Sequence, residues 1–500
     1  MLRPVPVFAG RGVIYDRTGK LLAWNAPASI PTVGDVADVQ PVAEDIVSDR
    51  EYATTTGLAH VIGYVQYPSK DSNGFYYRED FEGVDGVERY FDDRLRGANG
   101  SRLIEVDARG RVLSHNIIRP PKPGDNLTLS IDAGVQSALY RNLEDVARRV
   151  GFVGGAGVIM DAHTGELIAL TSYPEYDQRL ISERSDSARI KSLLGDPRLP
   201  FLNRAVSGLY TPGSILKPYI AIGALAEGVI DPATVITASG SISLPNPYDP
   251  TKSTVFRDWK DHGPVDMRRA LSVSSDVYFY VVGGGYKDQK GLGISRIDKY
   301  LDAFGFGRLP PESFAKGKAG TIPTPEWKKR VFGEDWFLGN TYHTSIGQYG
   351  FQVTLVQVAR AVSAIANGGT LPTPSILKGE ILPAEQVMDI EDRHYKVVRE
   401  GMRLSVTDGT GRGLNVPYVT IAAKSGTAEL GVAKDHVNSW ITGFWPYENP
   451  RYVFAVMLEK GSVHNQIGAA SVMRQQLDWM NVNAPQYFKE PVAENTGNVR

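Results

Sequence analysis

Apolar and polar positions follow one texture at the start of the chain and another after a proline-rich break. Residues 11–25, RGVIYDRTGKLLAWN, alternate apolar side chains on both sides of a Thr18-Gly19 turn, which predicts strand, turn, strand. Residues 27–75 are rich in Pro, Asp, Ser and Thr and look irregular, and a second extended region covers Gly100–Ile118. Pro120–Asp125, PPKPGD, is then the best linker: its prolines and glycine stiffen the chain and stop regular structure.

Beyond the linker, Leu127–Ile131 alternates and Ala133–Val150 has helical periodicity with a charged outer face. Ala156–Ser172 reads as strand–turn–strand around His163-Thr164-Gly165. Helices are predicted at Ser214–Glu227, Met267–Gly283 and Thr354–Asn367, the last stopped by Gly368-Gly369. Strands return at Tyr418–Ala423, Ser439–Phe444 and Tyr452–Leu458. Sheet pieces at both ends with helices between predict a large α+β domain whose ends share one sheet.

Composition narrows the function classes. Apolar residues make up 42% and charged residues 22% of the 500 positions, which is globular composition. Lys+Arg 54 against Asp+Glu 56 leaves a net charge of -2, no electrostatic case for a nucleic-acid partner. With no cysteine, disulfide scaffolds, thiolate zinc sites, iron–sulfur clusters and Cys nucleophiles are excluded. The sequence holds no uninterrupted apolar run of about 18 residues and no signal-peptide pattern, so the chain as given reads as soluble.

Candidate chemistry begins with Ser-x-x-Lys, which occurs at Ser214–Lys217, Ser313–Lys316 and Ser375–Lys378. Ser375 follows Pro372 and Pro374 and is expected in extended chain, where residues three apart face opposite sides. Ser313 sits among Pro310, Pro311 and Gly317, a loop setting. Only Ser214 follows a turn, YTPG, and opens an apolar helical run, so that Lys217 shares its face. A serine hydroxyl is a poor nucleophile until a base takes its proton, and a lysine becomes that base only if desolvated or set near positive charge. The alternative for this tetrad is a helix-start serine beside a solvent lysine.

Two further elements add to it. Ser274-Ser275-Asp276 puts three small polar residues inside the apolar run ALSVSSDVYFYVVG, where a cap or kink is the plain alternative. Lys424-Ser425-Gly426-Thr427 follows the strand VTIAA and is the one Lys-Ser/Thr-Gly in the sequence. Its lysine and hydroxyls can hold a carboxylate, and its glycine permits close approach; a surface turn is the alternative.

In this order the elements are the signature of penicillin-binding proteins and class A β-lactamases. The chain resembles class B penicillin-binding proteins, the peptidoglycan D,D-transpeptidases, and most closely their elongation type. GRGVIYDRTGKLLAWN, GLAHVIGYV, GVDGVERYFDDRLRGANG and EVDARGRVL look like the family's N-terminal module. LTLSIDAGVQ, GVIMDAHTGELIALTSYPEYD, YTPGSILKP, SSDVYFY, IGQYGFQVTLVQVARAVSAIANGG and AAKSGTAE look like its transpeptidase domain. The family's membrane anchor is missing, Ala26–Ala59 is much shorter than the usual head region, Asp276 replaces the commoner Asn, and Ile215-Leu216 differ from the usual Thr-Phe or Thr-Met.

The resemblance implies a serine β-lactamase/transpeptidase-like domain, an antiparallel sheet flanked by helices, at 123–490. A mostly β pedestal (dimerisation-like) module with a reduced head would precede it at 1–122, and a tail would follow at 491–500. It implies attack by Ser214 on a stem peptide ending in D-Ala-D-Ala, release of D-Ala, and resolution of the acyl-enzyme by a neighbouring stem's amine. Lys217 would be general base, Ser274 a proton relay to the leaving amine, and Asp276 its orienting partner. Lys424 would keep the Lys217 pKa low and, with Ser425, Gly426 and Thr427, form the carboxylate-binding strand. Backbone N–H groups of Ser214 and Thr427 would form the oxyanion hole. β-Lactam antibiotics would acylate the same serine, and no metal or organic cofactor is implied.

The full-length protein would work at the extracytoplasmic face of the bacterial cell membrane. There the N-terminal module would dock, through Arg11–Asn25 or Gly83–Gly97, onto a SEDS-family glycosyltransferase. Rival readings are a serine β-lactamase or penicillin sensor, or a non-catalytic activator of a membrane glycosyltransferase. Against the hydrolase, no Glu between Ser274 and Lys424 is followed by Asn four positions on.

Overall fold

Strands buried on both faces lose the in–out alternation of a half-exposed sheet and read as apolar runs. GGAGVIMD and LIALTSY do so, and every residue of Gly154–Asp161 and Leu167–Tyr173 is buried. The computed structural model describes residues 2–26, 48–72, 76–106, 112–246, 249–311, 313–314 and 317–489. The stretch expected to be a reduced head falls mostly on 27–47; these residues, the expected tail 491–500 and Lys316 lie outside the described residues.

The five-stranded sheet runs, in spatial order, Leu167–Tyr173, Gly154–Asp161, Tyr452–Ser462, His436–Trp445, Ala422–Leu430, with all neighbours antiparallel. Gly154 pairs Glu459 and Asp161 pairs Tyr452, so the two ends of the α+β domain share one sheet, as the sequence predicts. Val158, Met160, Trp440 and Met457 pack on one face with helix Leu355–Asn367 and the apolar helix Lys217–Ala226. Ile159, Ile168, Ile441 and Leu458 pack on the other with helices Ala133–Val150 and Ala469–Asn483. Leu355–Asn367 is held at its start by a reciprocal Thr354/Gln357 capping box and stopped by left-handed Gly368.

The N-terminal region contributes a three-stranded sheet, Leu2–Val7, Gly100–Val106, Val112–Arg119, and a four-stranded one. In the latter, Leu127–Thr128 just past Pro120–Asp125 lies parallel to Ile14–Tyr15, followed by Leu21–Ala26 and Asp49–Tyr52. Ile14, Leu22, Val61, Val87 and Leu95 belong to the same apolar cluster as the sheet face that carries Lys217–Ala226. The module is therefore cored into the large domain rather than strung from it. Its charged centre is Glu88, whose two oxygens take Arg11 Nε at 2.6 Å and Arg50 Nε at 2.8 Å, all three side chains nearly inaccessible.

Several elements differ from the sequence reading, among them strand Asp49–Tyr52 and helix Ala59–Ile62 inside the stretch expected to be irregular. The helix predicted over Met267–Gly283 is two helices, Met267–Val273 and Asp276–Gly284, broken at Ser274-Ser275. The strand expected at Tyr418–Ala423 begins at Ala422 and continues through Leu430, because the Lys-Ser-Gly-Thr segment pairs along the neighbouring strand, Lys424 opposite Thr442 and Thr427 opposite Ser439.

Candidate active site

The chain approaches Ser214 under tight constraint. Tyr210 and Val353 exchange backbone hydrogen bonds of 3.0 Å each, and the Gly213 N–H donates to the Gly347 carbonyl at 2.9 Å. Gly213 has φ +60°, and a Cβ there would stand 2.9 Å from the Thr427 carbonyl oxygen, so glycine is required both by conformation and by space. Gly426 meets the same need from the strand side, where a Cβ would lie 2.8 Å from Ile215. The two glycines let the Ser214 turn and the sheet-edge strand touch backbone to backbone.

Ser214 lies on a 3-10 turn, Gly213–Leu216, that runs into helix Lys217–Ala226. Ile215 and Leu216 are buried anchors, while Ser214 is partly exposed. Lys217 is fully buried, and its Nζ donates to the Ser274 carbonyl at 2.7 Å, Ser274 Oγ at 3.3 Å and Asp276 Oδ1 at 2.6 Å. Ser214 is not among these partners, contrary to the expected direct reach of the lysine. The first turn is 3-10 rather than α, and the Asp276 carboxylate draws the amine towards the helix junction.

Ser274 is where the pieces meet. It caps helix Met267–Val273 in the left-handed region at φ 60°, and Ser275 caps the next helix by accepting the Tyr278 N–H. Lys424 Nζ donates to Ser274 Oγ at 2.7 Å, so both lysines reach one hydroxyl. Burial, then the neighbouring Lys217 charge, push the Lys424 amine well below the usual lysine range; Asp276 opposes this. Burial pushes the Asp276 carboxyl up, and Lys217 pulls it back.

The edge strand completes the cleft. Ala422–Leu430 is the last strand of its sheet, with the Ser214 turn beside its open side and Thr427 exposed. Ser425 Oγ lies 2.7 Å from Thr410 Oγ1, and the Thr410 N–H is tied to the Ser272 carbonyl at 3.1 Å. Thr410, Asp258 and Trp259 border the site without having been singled out from sequence. Asp258 accepts from Ser275 Oγ at 2.8 Å and the Val277 N–H at 2.9 Å, and the Trp259 indole donates to the Ser274 carbonyl at 3.3 Å. A polar cluster, RDWKDH, was the available signal, but nothing in its spacing ties it to residues 274–277.

The other two tetrads stay apart. Ser375 sits in an isolated bridge to Glu166, its hydroxyl donates to Glu380, and Lys378 binds the Arg17 carbonyl. Ser313 is buried.

A serine on a turn against an open sheet edge, with buried lysine amines behind it instead of histidine, is the arrangement of penicillin-recognising serine acyltransferases. Residues 155–478 match the penicillin binding protein transpeptidase domain, and 37–129 the penicillin-binding protein dimerisation domain. The peptidoglycan D,D-transpeptidase MrdA of Haemophilus influenzae is 32% identical over 478 residues, covering 88% of this chain and 70% of that protein. The structure of Pseudomonas aeruginosa PBP2 in complex with WCK 5153 is similar at TM-score 0.75 and 28% identity, over 98% of this chain and 100% of that one. A chain from a peptidoglycan synthase complex, described as coordinating polymerization and crosslinking, gives TM-score 0.77 and 27% identity over 99% of this chain and 93% of its own. The chain belongs to the penicillin-binding protein transpeptidase family, and within it to the class B, elongation-type peptidoglycan D,D-transpeptidases.

Proposed function

We propose that Ser214 is the nucleophile through which this chain cross-links peptidoglycan stem peptides, and the residue that β-lactams acylate. Ser214 Oγ attacks the penultimate D-Ala carbonyl as Lys217 takes its proton. The backbone N–H groups of Ser214 and Thr427 stabilise the oxyanion. Ser274, held between Lys217 and Lys424, passes a proton to the departing D-Ala amine, while Asp276 fixes the Lys217 amine. Lys424, Ser425 and Thr427 receive the terminal carboxylate, and the substrate backbone lies along the open strand edge, with Gly426 allowing the approach. The observation that carries this reading is the meeting of both lysine amines on Ser274 Oγ beside the Ser214 turn.

In this reading residues 1–122 are the pedestal, 123–490 the transpeptidase domain and 491–500 a tail. The full-length protein works at the extracytoplasmic face of the membrane with a SEDS-family glycosyltransferase as partner. No helix among the described residues is long and apolar enough to cross a membrane. The test is incubation with a fluorescent penicillin followed by peptide mapping. Label on Ser214, absent from Ser214→Ala, is expected; label on Ser313 or Ser375 would overturn the assignment.

A further inference from the structure

The wall of the cleft beyond Ser274 is the loop 258–262, which the roles above leave unused. Asp258 holds it down: its carboxylate accepts the Trp259 N–H at 2.9 Å as well as the Ser275 hydroxyl and the Val277 N–H. Trp259 therefore stands at the helix junction, its indole N–H on the same Ser274 carbonyl that takes Lys217 Nζ. Its ring meets His262 edge-on with centroids 5.0 Å apart, yet the residue remains 60% exposed. The polar edge of this indole is engaged inside the site while more than half of the residue is open to solvent.

The position has a consequence that rests on the transpeptidase reading above. The amine that leaves the donor takes its proton through Ser274. By microscopic reversibility the incoming amine arrives along the same line and loses its proton there. That amine sits on the side chain of a neighbouring stem, a flexible arm that is cationic until deprotonated. An exposed indole suits both parts, burying methylenes and attracting an ammonium.

We propose that Trp259 forms the acceptor subsite, its ring face holding the amine-bearing arm of the incoming stem peptide beside Ser274. The bound ammonium first releases one proton to solvent; the neutral amine nitrogen then attacks the acyl carbonyl, and the C–N bond forms as the bond to Ser214 Oγ breaks. The amine proton passes to Ser274 and its lysines, and Ser214 Oγ recovers a proton from Lys217.

The test is the partition of the acyl-enzyme between aminolysis and hydrolysis. A D-Ala-D-Ala stem peptide is the donor, and the acceptor is either a diamino-acid stem peptide or hydroxylamine. Acyl-enzyme on the parent chain, scored first by intact mass, reports on the Ser214 reading; the partition, counted per acyl-enzyme formed, reports on Trp259. Trp259→Ala should lower the aminolysis-to-hydrolysis ratio for the stem acceptor about fivefold or more, and for hydroxylamine by less than about twofold. Trp259→Phe, which keeps a ring face without the N–H, should retain most of the stem-acceptor ratio. An unchanged stem-acceptor ratio in Trp259→Ala would overturn the proposal. So would an equal fall for both acceptors, which would make the indole a strut for Ser274 and nothing more.

Discussion

Ser274 holds a left-handed backbone that costs a non-glycine residue on the order of 1 kcal/mol or more, and hydrogen bonds at its N–H, carbonyl and hydroxyl keep it there. Its N–H closes the end of one helix on Ala270, its carbonyl takes Lys217 and Trp259, and its hydroxyl takes Lys424. The sequence displayed part of this, since three polar residues inside an apolar run have no packing reason to be there. It could not display that Lys424, 150 positions away, ends on the same hydroxyl. Nor could it show that the Lys217 amine would bond the Ser274 carbonyl and Asp276, because that depends on where the next helix begins. The depressed Lys424 amine makes a residue-level prediction. Lys424→Arg keeps a cation that cannot become a neutral amine, and should slow penicillin acylation of Ser214 by at least about 10²-fold. The label-incorporation rate measures this, and a near-parental rate would remove Lys424 from the proton path.

At the scale of elements, the buried strands were legible as apolar runs between turn signals, and the long helices by their period. The junctions were not, since a break of two residues or a 3-10 turn leaves no periodic trace. One junction joins the N-terminal segment to the sheet. Glu175 accepts the Gly57 and Ala59 N–H groups at 2.6 and 3.0 Å, and the adjacent His60 ring bonds the Pro200 carbonyl at 2.9 Å. Burial pushes the Glu175 carboxyl up to about 7 from 4.5 and the His60 imidazole down to about 4 from 6.5. Between 4.5 and 7 the folded chain retains a Glu175 proton that the unfolded chain has released, so this group's contribution to stability falls as pH rises. His60 acts in the opposite sense: the unfolded chain takes up its proton first as pH falls below 6.5, so stability is lost towards acid. Subtracting one variant isolates Glu175. From about pH 5 to about pH 8 the parent should lose melting temperature relative to Glu175→Gln, and parallel curves would contradict the assignment.

At the scale of the whole molecule, the N-terminal module shares a core with the catalytic domain, so a load on one can be felt by the other. The buried Arg11–Glu88–Arg50 centre also decides which substitutions can test partner docking. Both docking segments expected from sequence, Arg11–Asn25 and Gly83–Gly97, contain members of it. Reversing Glu88 would leave buried cations unpaired and cost about 3–5 kcal/mol, a folding defect rather than a docking one. Lys20, Asp93 and Arg94 lie in the same segments and are exposed. With an anchor restored and a SEDS polymerase co-expressed, charge reversal at these three should lower glycan polymerisation while Ser214 still takes penicillin. Polymerisation indifferent to all three would leave the module as a spacer.

The central claim is that acyl transfer through Ser214 builds cross-links. Its direct test supplies donor stems ending in D-Ala-D-Ala together with acceptor stems and measures cross-linked dimer against released D-Ala by mass spectrometry. Dimer should appear in step with D-Ala in the parent chain and be absent from Ser214→Ala. Dimer formed by Ser214→Ala, or D-Ala released by the parent with only hydrolysed donor beside it, would contradict the account.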